Sequence, residues 1–368
     1  MGRCAVCGRE SRLIAEALAL CAGCAREDSE RARARVEEVH AATRREFGLP
    51  ERPPKVEGGV SCGLCARGCR IAEGESGYCG VRRAAGGEVA GGGPEGARVS
   101  WYLDPLPTNC VASWVCPAET EAGYPQWTDS RGPEYGRFNL AVFYEACNFD
   151  CLYCQNWHFR QVRDEGRARS AEELARAVNA RTRCVCYFGG DPGPQVEHAL
   201  AASRLAMEGA GKGPLRICWE TNGAVGRRAL GEMVELSLES GGCVKFDLKA
   251  WDAGVHRALT GAENAATLRN FEWVAGRVGE RPGPPLLVAS TLLVPGYVDA
   301  EEVGAIAGFM ASLGEMIPYS LLGFHPDFYL HDLPATSRRQ AERCERAARE
   351  AGLKRVHVGN VHVLGAGD

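Results

Sequence analysis

The sequence predicts an α/β fold built on one mostly parallel sheet, and three observations carry that prediction. After residue 138, short β-branched and apolar runs alternate with helix-length amphipathic stretches, the pattern of repeated βα units. No G-x-G-x-x-G follows the first of these strands, which counts against a dinucleotide-binding Rossmann unit. Polar clusters fall at the C-terminal ends of the predicted strands, where a parallel barrel gathers its chemistry. A doubly wound sheet and a closed or partial (β/α) barrel both suit this spacing.

Taken in order, the chain divides into three parts. Residues 1–48 carry Cys4-x2-Cys7 and Cys21-x2-Cys24, followed from Glu27 to Phe47 by a charged run without Gly or Pro, which predicts an exposed helix and spacer. Gly48-Leu49-Pro50 and Pro53-Pro54 end that helix, because proline lacks the backbone donor and restricts its predecessor. Residues 49–137 are rich in Gly, Pro and Cys with little periodicity, so metal rather than a hydrophobic core is expected to organise them. Residues 138–368 form the βα core. Strands are expected near Asn139–Glu145, Arg183–Gly189, Leu215–Thr221, Cys243–Leu248, Leu286–Val294, Ser320–His325 and Arg355–Val358. Helices are expected around Ser170–Ala180, Val196–Glu208, Arg227–Glu239, Ala265–Val278, Ala300–Leu313 and Ser337–Ala351, with capping boxes at Ser170/Glu173 and Ser337/Gln340.

Composition narrows the function classes. A chain of 368 residues has room for two or three domains at about 100–200 residues each. With 43 basic and 47 acidic side chains, net −4, it lacks the electrostatic footprint of a nucleic-acid binder. No stretch approaches the roughly 20 apolar residues of a membrane span, and MGRCAVCGRE lacks the apolar stretch of a signal peptide, so a cytoplasmic location is expected. The unusual number is 18 cysteines. In a long chain without a secretion signal they read as metal-binding thiolates of a reducing compartment, not as disulfides.

Three cysteine sets have ligand spacing. Cys147-x3-Cys151-x2-Cys154 places three thiols on one loop after the first core strand, and soft thiolates at that spacing select zinc or an iron–sulfur cluster. Three cysteines can hold three irons of a [4Fe–4S] cube and leave the fourth open, whereas closed zinc needs a fourth ligand, for which His158 is the nearby option. Cys62-x2-Cys65-x3-Cys69-x9-Cys79 is a second set, suited to an auxiliary [4Fe–4S] cluster or structural zinc. Cys4, Cys7, Cys21 and Cys24 form a zinc-ribbon-like set for structural zinc. Cys110 and Cys116 receive no assignment. Cys184, Cys186, Cys218, Cys243 and Cys344 lack ligand spacing and read as buried small hydrophobes; His256, His331, His357 and His362 stay unassigned.

The C-x3-C-x2-C motif, with Tyr153 before its last cysteine, resembles the signature of radical S-adenosylmethionine (SAM) enzymes. CNFDCLYCQNW, YFGGDP, WETNG, VKFDLKAWD, LLVPGYVD, GFHPDF and VHVGN together are similar to pyruvate formate-lyase activating enzyme and its relatives. CGLCARGCRIAEGESGYCGVR at residues 62–82 resembles the leader of the radical SAM component of the AmmeMemoRadiSam system. These motifs are specific for cofactor chemistry and weakly specific for substrate. The resemblance implies a partial TIM-like (β/α) barrel with a [4Fe–4S] cluster on Cys147, Cys151 and Cys154 and Tyr153 beside the SAM adenine. Gly189, Gly190 and Asp191 match a Gly-Gly-Glu element that contacts the SAM amino group, with Asp in place of Glu. Thr221, Asn222, Lys245, Asp247, Lys249 and His325 fall where the family lines its SAM and substrate cavity.

The implied reaction is reductive cleavage of SAM to a 5′-deoxyadenosyl radical that abstracts hydrogen from a substrate, with glycyl radical enzyme activation as the family analogy. The implied partners are a low-potential donor of flavodoxin or ferredoxin type and a substrate that can be a protein. The leader and the insertion up to residue 137 depart from the minimal activating enzyme. A multi-cluster electron-transfer protein without SAM cleavage and a zinc-only interaction scaffold are the competing readings.

Overall fold

A computed structural model describes residues 1–160, 167–211 and 213–365; the last three positions of the expected 138–368 core lie outside them. Three small hairpins come first: β1 (Gly2–Arg3) with β2 (Glu10–Ser11), β3 (Val60–Ser61) with β4 (Arg70–Ile71), and β5 (Arg83–Ala85) with β6 (Glu88–Ala90). Helices α1 (Ala22–Glu27) and α2 (Glu30–Glu46) follow the first hairpin.

One eight-stranded sheet dominates the molecule. It contains β7 (Val99–Pro105), β8 (Phe138–Tyr144), β9 (Thr182–Phe188), β10 (Arg216–Thr221), β11 (Val244–Asp247), β12 (Leu287–Leu293), β13 (Tyr319–Gly323) and β14 (Val356–Gly359). From β8 to β14 the strands lie side by side in chain order and pair in parallel, while β7 adds antiparallel to β8 at the edge. A doubly wound sheet reverses its strand order at a switch point, and this one never does. Strictly sequential parallel order keeps the crossovers on one face, as in a barrel, and among the described residues β14 does not pair with β7 or β8, so the sheet stays open.

The crossovers carry α3 (Ala171–Ala175), α4 (Val196–Gly209), α5 (Arg227–Ser240), α6 (Ala253–Thr260), α7 (Ala265–Ala275), α8 (Ala300–Leu313) and α9 (Arg338–Glu350). Alternation along each strand explains their placement. Val185, Tyr187, Ile217, Trp219, Val244 and Phe246 are buried in one core with the helices. The alternate positions, Cys184, Cys186, Arg216, Cys218, Glu220 and Lys245, line a chamber on the other face.

Several expectations are corrected here. The run Glu27–Phe47 breaks at Asp28-Ser29 and is helical from Glu30 to Glu46, but α2 is not an exposed spacer: Val36, Val39, His40, Thr43 and Arg44 are buried, because one stripe of the helix is apolar or paired while its other face carries the charge. The first 48 residues share the barrel's core, with Leu18, Leu20, Val36 and Val39 in the same apolar cluster as the sheet. Strand β7 lies within 49–137 yet belongs to the main sheet. Ser170 forms the full reciprocal capping box with Glu173. Ser337 accepts from the Gln340 N–H, but the Gln340 amide reaches Val298 O (3.1 Å) instead of returning. Helix α6 was not anticipated. It is two turns long, and its Gly254 allows α1 to cross so closely that a Cβ there would lie 2.0 Å from the Ala25 carbonyl oxygen. Among the described residues no helix is long and apolar enough to cross a membrane.

The floor of the sheet, at the N-terminal strand ends, is closed by residues 106–137. Its anchor is a buried ion pair: both Arg216 terminal nitrogens reach the Glu134 carboxylate, one at 2.9 Å, and Nη1 also donates to Trp127 O (2.7 Å). Glu134→Gln leaves Arg216 buried without its counter-charge and is expected to cost about 3–5 kcal/mol, measured as a lowered thermal midpoint.

Candidate active site

The loop after β8 is stitched in place from several sides. Asp150 N–H bonds Thr260 O (2.8 Å), Leu152 N–H bonds Leu259 O (3.0 Å), and Arg67 Nε donates to Asn148 O (2.6 Å). Between the cysteines, Asp150 is fully buried and serves as a hub. His40 Nδ1 lies 2.8 Å and Thr43 Oγ1 2.7 Å from its Oδ2, Arg160 contacts Oδ1, and Arg44 lies 3.7 Å away. Burial raises its pKa, but Arg160, His40 and Arg44 outweigh that and hold the carboxyl well below the usual range.

Held this way, Cys147, Cys151 and Cys154 line one cavity of about 200 Å³ at the C-terminal strand ends. Burial raises all three thiol pKa values, Cys151 to about 12 even beside Lys249. Thiols this reluctant to ionise become thiolates when a metal supplies the compensating charge.

The other wall comes from the next strand ends. Gly189 and Gly190 have φ of +65° and +62°, and a Cβ on Gly190 would lie 2.2 Å from Tyr144 O, so only glycine brings the backbone this close to the cysteine loop. The buried Asp191 accepts from Gly193 N–H (2.7 Å), Thr221 Oγ1 (2.9 Å) and Asn222 N–H (2.8 Å), tying the ends of β9 and β10 together. Burial pushes its pKa up to about 6 despite these donors. Asn222 Nδ2 donates to Asn148 Oδ1 (2.7 Å) and lies 3.8 Å from Cys147 Sγ. Asp247 pairs with Lys249, whose Nζ lies 5.7 Å from the Tyr153 ring centroid.

Of the residues expected around this cavity, Tyr153, Gly189, Gly190, Asp191, Thr221, Asn222, Asp247 and Lys249 line it. Two do not. His325 is exposed: β13 ends at Gly323, Phe324 turns into the core, and the next side chain points to solvent. Lys245 points inward one layer lower, into the chamber beneath. Gln155 and Glu220, which fall inside the CNFDCLYCQNW and WETNG motifs without having been singled out as site residues, also line the cavity, as does Arg160, an isolated residue outside any motif that carries no signal in sequence.

The second set adds directly onto this wall. Cys65 bridges Val225, Ala66 N–H bonds Ala224 O (2.9 Å), and Gly226 N–H bonds Leu64 O (2.7 Å). Cys62, Cys65, Cys69 and Cys79 line one small cavity, and Cys79 shares a further one with Cys147. At the N-terminus, the Cys4, Cys7, Cys21 and Cys24 sulfurs all lie within 4.8 Å of one another, the Cys7 and Cys21 sulfurs 3.9 Å apart. Tetrahedral sulfurs about 2.3 Å from one ion sit about 3.8 Å apart, so this set has the spacing of a four-thiolate metal site. Among the described residues no other group of potential ligands is drawn that tightly together.

Residues 141–308 match the family model of the radical SAM superfamily. Over that stretch, a little under half of the chain, the protein is similar to the radical SAM superfamily. Over 311 residues it is 28% identical to an uncharacterized protein of Methanocaldococcus jannaschii, MJ0808, covering 82% of this chain and 81% of that one. It is 32% identical over 143 residues to the isethionate sulfite-lyase activating enzyme of Oleidesulfovibrio alaskensis, covering 38% of this chain and only 41% of that enzyme. Among solved structures, a domain of pyruvate-formate lyase-activating enzyme from Bacteroides vulgatus aligns over 48% of this chain and 98% of its own, with 20% identity and a TM-score of 0.39.

A radical SAM domain implies a [4Fe–4S] cluster and SAM, and the residues present fit both. Among the described residues, three thiols from one loop face a shared cavity without a fourth, the glycine pair leaves room that a Cβ would fill, and the Tyr153 hydroxyl is buried with no hydrogen-bond partner. Asp150→Asn strands Arg160 and Arg44 without their counter-ion. It is expected to destabilise the protein by about 3–5 kcal/mol and to lower the iron retained after anaerobic reconstitution, read by thermal denaturation and iron analysis.

Proposed function

We propose that this protein is a radical SAM enzyme that abstracts a hydrogen atom from a substrate, and that Cys147, Cys151 and Cys154 hold its cluster. The observation that supports this best is the convergence of exactly three loop thiols on a cavity ringed by the polar ends of β9, β10 and β11. When bound, a reduced cluster with one open iron supplies the electron that cleaves SAM and leaves a 5′-deoxyadenosyl radical.

The chain's own part is positioning and exclusion of water. Gly189 and Gly190 present close backbone for the amino-acid end of SAM, and Asp191 holds that backbone in place through Thr221 and Asn222. Tyr153 offers a buried hydroxyl and ring edge for the adenine, with the Asp247–Lys249 pair beside it. The Asn222 amide is aimed at Cys147 sulfur, a contact of the kind that tunes cluster potential.

The finer reading places the chain near the activating enzymes, as the name of its sulfite-lyase activating relatives suggests, and within the AmmeMemoRadiSam-like group by its leader at 62–82. A protein substrate and a flavodoxin or ferredoxin donor belong to that reading. The Cys62, Cys65, Cys69 and Cys79 set carries an auxiliary [4Fe–4S] cluster, since its sulfurs lack single-ion spacing and Cys79 adjoins Cys147. The Cys4, Cys7, Cys21 and Cys24 set holds structural zinc.

Anaerobically reconstituted and reduced protein is expected to form 5′-deoxyadenosine from SAM, and Cys151→Ala to reduce that to background; full retention in the variant would refute the assignment. Cys62→Ala/Cys65→Ala is expected to lose about four irons per chain with zinc unchanged. Loss of zinc with iron unchanged would make this set a zinc site.

A further inference from the structure

Beneath the cavity of the cysteine loop, the open barrel encloses a second chamber of about 440 Å³. The two share Phe188 and Glu220 as common wall. Among the described residues six thiols line the lower one: Cys110 and Cys116 from the floor segment, Cys184 and Cys186 from β9, Cys218 from β10, and Cys243 just before β11. None has ligand spacing in sequence. Register brings them together: Cys186 is the partner of Cys218 across β9 and β10, Trp219 N–H bonds Cys243 O (2.9 Å), and Cys218 packs in one cluster with Cys243 and Cys110. Cys186, Cys218 and Cys243 therefore form a row across three strands, facing Cys110 on the floor.

Packing does not account for this wall. Parallel barrels fill their interior with Val, Ile and Leu to near-crystalline density, whereas these small side chains leave an open space. The donors point to a particular occupant. Lys245, 1% exposed, directs Nζ to Cys186 Sγ (2.9 Å), Cys110 Sγ (3.2 Å) and Glu220 Oε2 (3.3 Å). Arg216, paired with Glu134, also brings Nη2 to 3.2 Å from Cys184 Sγ. Each cation has its own carboxylate, and its remaining N–H groups face sulfur, as donors to the sulfurs of a cluster do. The thiols also lack the close spacing of a mononuclear site, which among the described residues belongs to the Cys4 set.

We propose that this chamber binds an iron–sulfur cluster ligated by Cys186, Cys218, Cys243 and Cys110, with Lys245 donating to its sulfurs. The site is separate from both the radical SAM loop and the Cys62 set, and it stands or falls independently of SAM cleavage.

The test compares iron and acid-labile sulfide per chain in the full protein after anaerobic reconstitution. Cys186→Ala/Cys218→Ala/Cys243→Ala is expected to lose about two to four irons and as many sulfides, while SAM still perturbs the electron paramagnetic resonance signal of the reduced loop cluster. Unchanged iron and sulfide would overturn the proposal, as would loss of zinc without sulfide. Should that variant misfold, a complementary protein with alanine at Cys147, Cys151, Cys154, Cys62, Cys65, Cys69 and Cys79 keeps the chamber intact. It is expected to retain about two to four irons with equal sulfide, and an iron-free product would overturn the proposal. Lys245→Met is expected to keep those irons and lower the cluster's midpoint potential. Chamber iron without 5′-deoxyadenosine formation in the wild type would refute the functional reading alone.

Discussion

The buried carboxylate of Asp150 is the contact on which the candidate site depends. It lies between Cys147 and Cys151, and its partners come from α2 and from the turn that follows the loop. A buried anion of this kind is stable only when fully paired, so the loop and α2 depend on each other through it. Arg44 extends the linkage: it lies near Asp150 while donating to Pro50 O (2.6 Å) and Tyr78 O, the residue before Cys79. One electrostatic knot thereby orients the loop thiols, the N-terminal helix and the second cysteine set together.

The sheet places two kinds of polarity on opposite faces. Toward the helices it presents Tyr187, Trp219 and Phe246, which pack as an ordinary apolar layer. Toward its concave side it presents thiols and paired charges, with Arg216 held by Glu134 at the floor and Lys245 by Glu220 higher up. Such an interior costs stability compared with branched aliphatics and is kept where chemistry needs it. The vertical order follows from strand direction: the floor lies at the N-terminal strand ends, the thiol chamber in the middle, and the cysteine loop at the C-terminal ends.

The helix and strand pattern was largely legible because each period is local. Strands β8 to β14 fall close to the runs of β-branched and apolar residues that announce them, and the Ser170 capping box forms as its spacing says. The cysteine loop and the glycine pair were legible because motif chemistry is also local. Less legible were facing and height. His325 sits at the end of an expected strand, yet one residue beyond Phe324 it meets solvent. Lys245 has the parity for the interior and sits in the chamber below the upper cavity, a height set by its register with Glu220.

By itself, the sequence determined the βα repetition, the absence of a dinucleotide fingerprint and three sets of closely spaced thiols, because each is written within a few consecutive residues. Tertiary structure alone decided that the strand order never reverses, that α2 is clamped to the cysteine loop through Asp150, and that six cysteines without sequence spacing share one chamber. These depend on strand register and on ion pairs between residues far apart in the chain, and neither leaves a local trace in composition or periodicity.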